Sequence, residues 1–433
     1  MKKNKFITST IILIIGSIIT KLINMVIRIG ISRTIGTTGM GVYMLVVPTF
    51  SLFISLSQMG LPVAISKLVS EKRSNNRNLI FSATFTIMAF NIVLLGFIFL
   101  SASLIANKLL HDPRTYRSII SMALVLPFIS ISSILRGYYF GKQKMIPHVC
   151  SNVIEDIVRM FVIFIGLPIS YKYGIEYAIS FIILSNIVSE TVSIMTLLAF
   201  APKKLKIKKE EIKPDYTNIK NIFKIGIPTT GSRLISSVGA CLEPIILTSV
   251  LLSNGYSNDF IVAEYGIING YILPILLMPS FFTAAISSSL IPVISEAFVN
   301  KRFKYVKHKL KQAIILSLIC GIPFTIFVIV FSNQSLNFLY NTTVGSNYLK
   351  LIAPFFLTYY IQTPLSAFLQ AIGHSTIAMI DNLIGISLKL ILIFVLGYFN
   401  IGLFNLIIAL ISNILIVTII HYLNIRKSFK VAS

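Results

Sequence analysis

Apolar runs of about 20 residues, enough to cross a bilayer core of about 30 Å at 1.5 Å per helical residue, recur from one end of this 433-residue chain to the other. No other feature constrains the fold as strongly. Backbone in hydrocarbon finds no water to bond, so only helices and closed barrels can span it. A barrel would show short alternating segments, whereas these runs are continuous. The chain therefore reads as an all-α polytopic membrane protein. Spans are predicted over residues 7–31, 42–66, 79–105, 118–140, 148–168, 177–200, 222–252, 262–296, 312–331, 349–372, 375–397 and 402–423, twelve in all.

Lys and Arg number 38 against 14 Asp and Glu, a net charge of +24. These cations sit in short loops between apolar runs rather than on one soluble face, which marks topology and argues against a nucleic-acid partner. One set of loops collects Lys67, Lys72, Arg73, Arg77, Lys142 and Lys144, eight lysines over 201–224, six basic residues over 300–312, and Arg426, Lys427 and Lys430. The other set has Lys108, Arg114, Arg117 and Lys172. Both termini are accordingly expected in the cytoplasm. Lys2, Lys3 and Lys5 ahead of an apolar run imitate a signal peptide, but the run continues past Lys21 to Ile31 without a small-residue cleavage site and reads as the first span.

The longest polar interruption, residues 201–221, divides six spans from six and reads as a basic cytoplasmic linker between lobes at 1–200 and 222–433. The lobes repeat. Leu61 and Pro62 match Ile291 and Pro292, Pro127 and Phe128 match Pro354 and Phe355, and Arg159 matches Lys389, at offsets of 230, 227 and 230. Six intervening spans give both copies the same orientation, a parallel repeat whose site is expected between the lobes near the midplane.

Chemistry on a substrate has no visible owner. Cys150, Cys241 and Cys320 are odd in number, widely spaced and expected buried, and the five histidines are scattered singly. There is no HExxH, no phosphate loop and no nucleophile elbow, so no enzyme activity, metal or cofactor is expected.

Ionisable groups inside the spans are the default functional residues of such a chain. The stretch 126–159, LPFISISSILRGYYFGKQKMIPHVCSNVIEDIVR, carries Arg136 near the predicted cytoplasmic mouth and Glu155, Asp156 and Arg159 on the next helix. By helical rise Arg159, Arg233 and Lys389 fall near the middle of their spans and Lys21 somewhat beyond it. Lys21, Asn24 and Arg28 share one helical face. Glu155 stands four residues before Arg159 and is expected to hold it, Asp381 lies two turns before Lys389, and Glu243 nearly three turns from Arg233. In the repeat Arg136 is matched to Gln370, Glu155 to Gly385 and Arg159 to Lys389, so the basic position is kept and the acids are dropped.

Several segments carry a family resemblance: ISRTIGTTGMGVYMLVVP from Ile31, MGLPVAISKLVSEK from Met59, LRGYYFGKQKMIPHVCSNVIEDIVR from Leu135, IGIPTTGSRLISS from Ile225, YGIINGYILPILLMPSFFTAAISSSLIPVISEA from Tyr265 and LQAIG from Leu369. The chain resembles the stage V sporulation protein B group of bacterial polysaccharide-transport proteins, in the superfamily of lipid II flippases and multidrug and toxin extruders. The resemblance implies two six-helix lobes with alternating access, moving an undecaprenyl-pyrophosphate-linked saccharide outward across the plasma membrane. Substrate cations on or ending the first helix are then Lys21, Arg28 and Arg33, with Arg233 on the seventh. Two departures stand out. Many relatives carry two further C-terminal helices that form a lipid-tail groove, whereas this sequence stops after its twelfth span, and Ala371 replaces a usual Gly in LQAIG.

Two functions compete. A flippase uses Lys21, Arg28, Arg33, Arg159, Arg233 and Lys389 for the pyrophosphate, with Glu155 and Asp156 as structural or coupling acids. A cation-coupled multidrug exporter would want cavity carboxylates instead. Midplane cations outnumber acids, which favours the flippase, expected as a monomer whose partners are a lipid-linked oligosaccharide and membrane lipids.

Overall fold

The computed structural model describes residues 2–71, 76–201 and 215–432. Lys72, Arg73 and most of the predicted 201–221 linker lie outside the described residues. Helix α1 (Lys2–Gln58) holds the first predicted span and most of the second, 42–66, and breaks at Gly36, whose φ of 66° and ψ of −170° suit glycine alone. Met59 and Gly60, both at positive φ, then set off α2 (Leu61–Ser70). There follow α3 (Asn76–Leu104), α4 (Tyr116–Gly141), α5 (Met145–Tyr171), α6 (Ile175–Ala199) and α7 (Tyr216–Ser253). The predicted span over 262–296 is interrupted. It runs as α8 (Asn258–Gly266), a π segment at Ile267–Ile272 and α9 (Leu273–Leu276), then restarts after Pro279 as α10 (Ser280–Val299). Pro274 and Pro279 supply no N–H, which weakens the helical ladder there. The chain ends with α11 (Phe303–Val330), a short α12 (Ser332–Tyr340), α13 (Ser346–Ala371), α14 (Ser375–Gly397) and α15 (Phe404–Ala432). With α1 counted as two helices and α8 to α10 as one path, the described elements form about twelve spans, as expected.

The repeat is visible in element bounds. Helices α4 and α13 are each 26 residues long and start 230 residues apart, as do α5 and α14. That register keeps Arg159 with Lys389 and Glu155 with Gly385, but pairs Arg136 with Ser366 rather than with Gln370. The short match of LRG to LQA is displaced by four residues, one helical turn, which preserves the helix face and misplaces the depth.

Contacts group the chain into two units, Met1–Cys241 and Leu242–Ser433, a division that falls inside α7 rather than in the 201–221 connection. The early part of α7 is tied to the first unit through Asn218, which donates to Asn78 at 3.0 Å, and through Ser237 and Ser55 at 2.9 Å. Within that unit α2 and α4 approach closely. A Cβ on Gly137 would stand 2.7 Å from the Pro62 carbonyl oxygen, and one on Gly141 2.6 Å from that of Ser66. Glycines four apart let two backbones pack where side chains would keep them apart. Each unit buries a tyrosine core with its hydroxyl satisfied: Tyr139 donates to Leu197 O and Tyr360 to Leu276 O, both at 2.7 Å. Large apolar side chains such as Ile92, Leu100 and Ile165 are exposed, as lipid-facing residues are. Of the cysteines expected to be buried, Cys241 is, whereas Cys150 and Cys320 are only half-buried.

Candidate functional site: a cationic cavity in the N-terminal unit

Helix α5 packs against α1 and α6, while α4 packs on α6. Glu155 and Asp156 are adjacent and thus about 100° apart around the helix, so they meet different neighbours. Asp156 turns toward α1, where it accepts from Asn24 at 2.9 Å, and it pairs with Arg159 one turn on. Arg159 also donates to Asn24 Oδ1 at 3.0 Å and to Asn186 Oδ1 on α6 at 3.1 Å. Glu155 turns the other way and pairs with Arg136 of α4. Arg136 further reaches Glu190 of α6 at 3.3 Å and donates to Ser193 Oγ at 3.0 Å. The expected Glu155–Arg159 pair is thus replaced by two pairs. Spacings of three and four both bring side chains onto one face, and a cross-helix guanidinium claims Glu155.

Beside this network lies a cavity of about 270 Å³ whose walls include Arg28, Arg159, Asn24, Asn186 and Tyr43. Arg28 is further held at Met44 Sδ, 3.1 Å from its Nη2. Ile27, Ile31, Val47, Phe50, Ile163 and Ile182 complete the wall. Among the described residues that line it there are two guanidinium groups and no carboxylate. Arginine presents a planar fork of N–H donors at fixed charge, a geometry matched to phosphate oxygens. The cavity can therefore hold an anion against the two guanidinium groups, with the Tyr43 phenol beside them; the Asn24 amide already donates to Thr20 O and Asp156, and the Asn186 amide to Ile182 O and Ile183 O.

The other predicted site residues are placed elsewhere. Lys21 is half-buried on α1, Arg33 is exposed just before the Gly36 break, and Arg233 is exposed on α7. Lys389 is in the second unit, where Glu243 accepts from its Nζ at 2.5 Å. Asp381 accepts from Asn424 at 2.8 Å and faces His421 at 2.7 Å instead of serving Lys389. Glu190, Asn186 and Tyr43 went unrecognised in the sequence. A lone carboxylate in the apolar run of α6 should have flagged Glu190 by the rule that flagged Glu155. Among the described residues no group of three or more His, Cys, Asp or Glu is placed to hold a metal ion.

An all-helical fold of about twelve apolar spans with ion pairs inside them defines a multi-pass membrane protein. The architecture matches the inward-facing structure of a multidrug resistance MATE family transporter of the MOP superfamily, with TM-score 0.73, 16% identity and coverage of 95% of both chains. The polysaccharide biosynthesis protein family profile matches residues 6–298, and a MatE profile matches 237–395. Stage V sporulation protein B of Bacillus subtilis (strain 168) is 36% identical over 99% of this chain and 85% of its own. The lipid II flippase MurJ of the same organism is 23% identical over 90% of this chain and 77% of its own. The chain belongs to the polysaccharide biosynthesis protein family, in its stage V sporulation protein B-like group.

Proposed function

We propose that this transporter is a flippase for an undecaprenyl-pyrophosphate-linked saccharide, lipid II or a related cell-wall or spore-cortex precursor, working by alternating access. The carrying observation is the cavity with Arg28 and Arg159 in its wall and no carboxylate. The pyrophosphate is captured there by charge-assisted bonds from the two guanidinium groups, while Asn24 and Asn186 hold Arg159 in position. The polyprenyl tail stays in lipid, where its burial costs nothing. The excess of Lys and Arg in one set of loops supports the reading that both termini are in the cytoplasm of a bacterial plasma membrane, from which the flippase carries its cargo outward. The names of the relatives, a sporulation protein and a lipid II flippase, support this cargo class.

One observation favours the cation-coupled exporter: Glu155 and Glu190 share a single Arg136, which leaves an acid in excess. Drug efflux lost on Glu155→Gln, by a protein that never moves lipid, would support that reading. For the flippase, the test is translocation of fluorescent lipid II in proteoliposomes. The Arg28→Gln/Arg159→Gln variant should lose transport at least tenfold while still inserting. Undiminished transport would sink pyrophosphate capture.

A further inference from the structure

A second cavity, of about 340 Å³, opens wholly within the Leu242–Ser433 unit, where α10, α13 and α14 meet. Its volume is in the range of small-ligand sites, about 300–1,000 Å³. Tyr359, Gln362, Thr363, Ser366 and Gln370 line it from α13, and Asn382 lines it from α14. The α13 residues are spaced three, four, seven and eleven from the first, so they form one polar face on a helix that otherwise runs through apolar surroundings. No Asp, Glu, Lys, Arg or His is among the described residues of this wall.

Part of that polar wall is already satisfied. Gln370 donates to Ser366 Oγ at 3.3 Å, and Asn382 donates to Ala378 O at 2.8 Å. Among the described residues neither the Gln362 amide nor the Thr363 hydroxyl bonds another protein group, and both border the open space. An apolar guest would strip water from these groups and return nothing. An ionic guest would meet no counter-charge. A neutral ligand rich in hydroxyls satisfies both, because an amide offers two donors and an acceptor and a hydroxyl offers one of each.

The repeat points the same way. In the register set by α4 and α13, Arg136 of the buried ionic network corresponds to Ser366 in this wall, and Glu155 corresponds to Gly385. At the position of Arg136 the copy thus has a small neutral group beside open volume, while Gly385 packs against Asn413 and Val417 of α15.

We propose that this cavity is a subsite for the uncharged saccharide part of the cargo, held by Gln362 and Thr363 with the Tyr359 ring beside it. The assignment rests on the lipid-linked saccharide reading above and adds to it a sugar site within the Leu242–Ser433 unit.

The test compares binding of two probes to the purified full chain in nanodiscs, polyprenyl diphosphate alone and the same lipid bearing a neutral disaccharide. Gln362→Leu/Thr363→Val removes two hydrogen-bonding groups, each worth about a factor of five, at nearly constant shape. Affinity for the glycosylated lipid should fall at least tenfold, and affinity for the bare lipid should stay within twofold. Unchanged affinity for both lipids, or an equal fall for both, overturns the saccharide subsite. Arg28→Gln should weaken both. If it weakens neither while the Gln362/Thr363 variant still separates them, pyrophosphate capture fails and the saccharide subsite stands. A second readout avoids any loss of folding in that variant. Maleimide labelling of Ser366→Cys should be slowed severalfold by the glycosylated lipid and unaffected by the bare one; equal rates with both would contradict the proposal.

Discussion

Removal of Arg136 should destabilise the protein more than most single substitutions, because it leaves two carboxylates facing each other away from water. The Arg136 side chain is 22% exposed, and those of Glu155 and Glu190 are 9% and 6%. Breaking a buried ion pair from one side costs about 3–5 kcal/mol. Unfolding a unit the size of Met1–Cys241 carries an entropy of about 0.5 kcal/mol/K, so Arg136→Met should lower the melting temperature by about 6–10 °C. The chain has no Trp, but buried Cys241 becomes accessible on unfolding, so a thiol-reactive dye follows the melt once the half-buried Cys150 and Cys320 are replaced by Ala in parent and variants alike. Neutralising the acids as well, in Arg136→Met/Glu155→Gln/Glu190→Gln, removes the uncompensated charge and should bring the melt back to within about 3 °C of the parent. An Arg136→Met protein that melts like the parent, or a triple variant no better than the single, would refute the reasoning.

Three further outcomes follow from the same physics. Lys389→Met strands Glu243 and should lower the melting temperature by several degrees, with Lys389→Met/Glu243→Gln recovering most of it; equal losses in both variants would contradict the pairing. Gly137→Leu drives a side chain into the Pro62 backbone and should abolish the close packing of α2 on α4, read as loss of a monodisperse protein peak in detergent. Asp156→Asn removes the charge that pairs with Arg159, so a short polyprenyl diphosphate should raise the melting temperature of this variant more than that of the parent, and an equal rise would count against anion capture.

Span positions were legible because hydrocarbon imposes the same length and composition on every helix. Partners were harder, since a one-dimensional reading favours neighbours along a helix. Glu155 sits four residues before Arg159, yet its partner is Arg136, 19 residues away on another helix. Lys389 and Glu243 are 146 residues apart, and no local spacing links them. His421 and Asp381, two residues with no motif between them, meet across α14 and α15. Arg28 and Arg159 stand out in the sequence, because a charge inside an apolar run is conspicuous wherever it sits. Their common wall depends on how α1, α5 and α6 pack, which residue spacing does not encode. Arg33 and Arg233 look equivalent to them in sequence; both are exposed, one beside a helix break and the other on α7, and neither lines this cavity. The Gly36 break falls in the 32–41 interval that the predicted spans leave between them, where Gly36, Gly39 and Gly41 cluster; only the backbone angles show which glycine turns the chain.

The most direct test of pyrophosphate capture is the affinity of the purified chain for three lipids with one tail: a polyprenyl diphosphate, the monophosphate and the neutral alcohol. Capture by Arg28 and Arg159 predicts that affinity falls at least tenfold at each loss of phosphate, and that Arg28→Gln/Arg159→Gln flattens the series. Equal affinity for all three lipids, or a series unchanged in that variant, would contradict it.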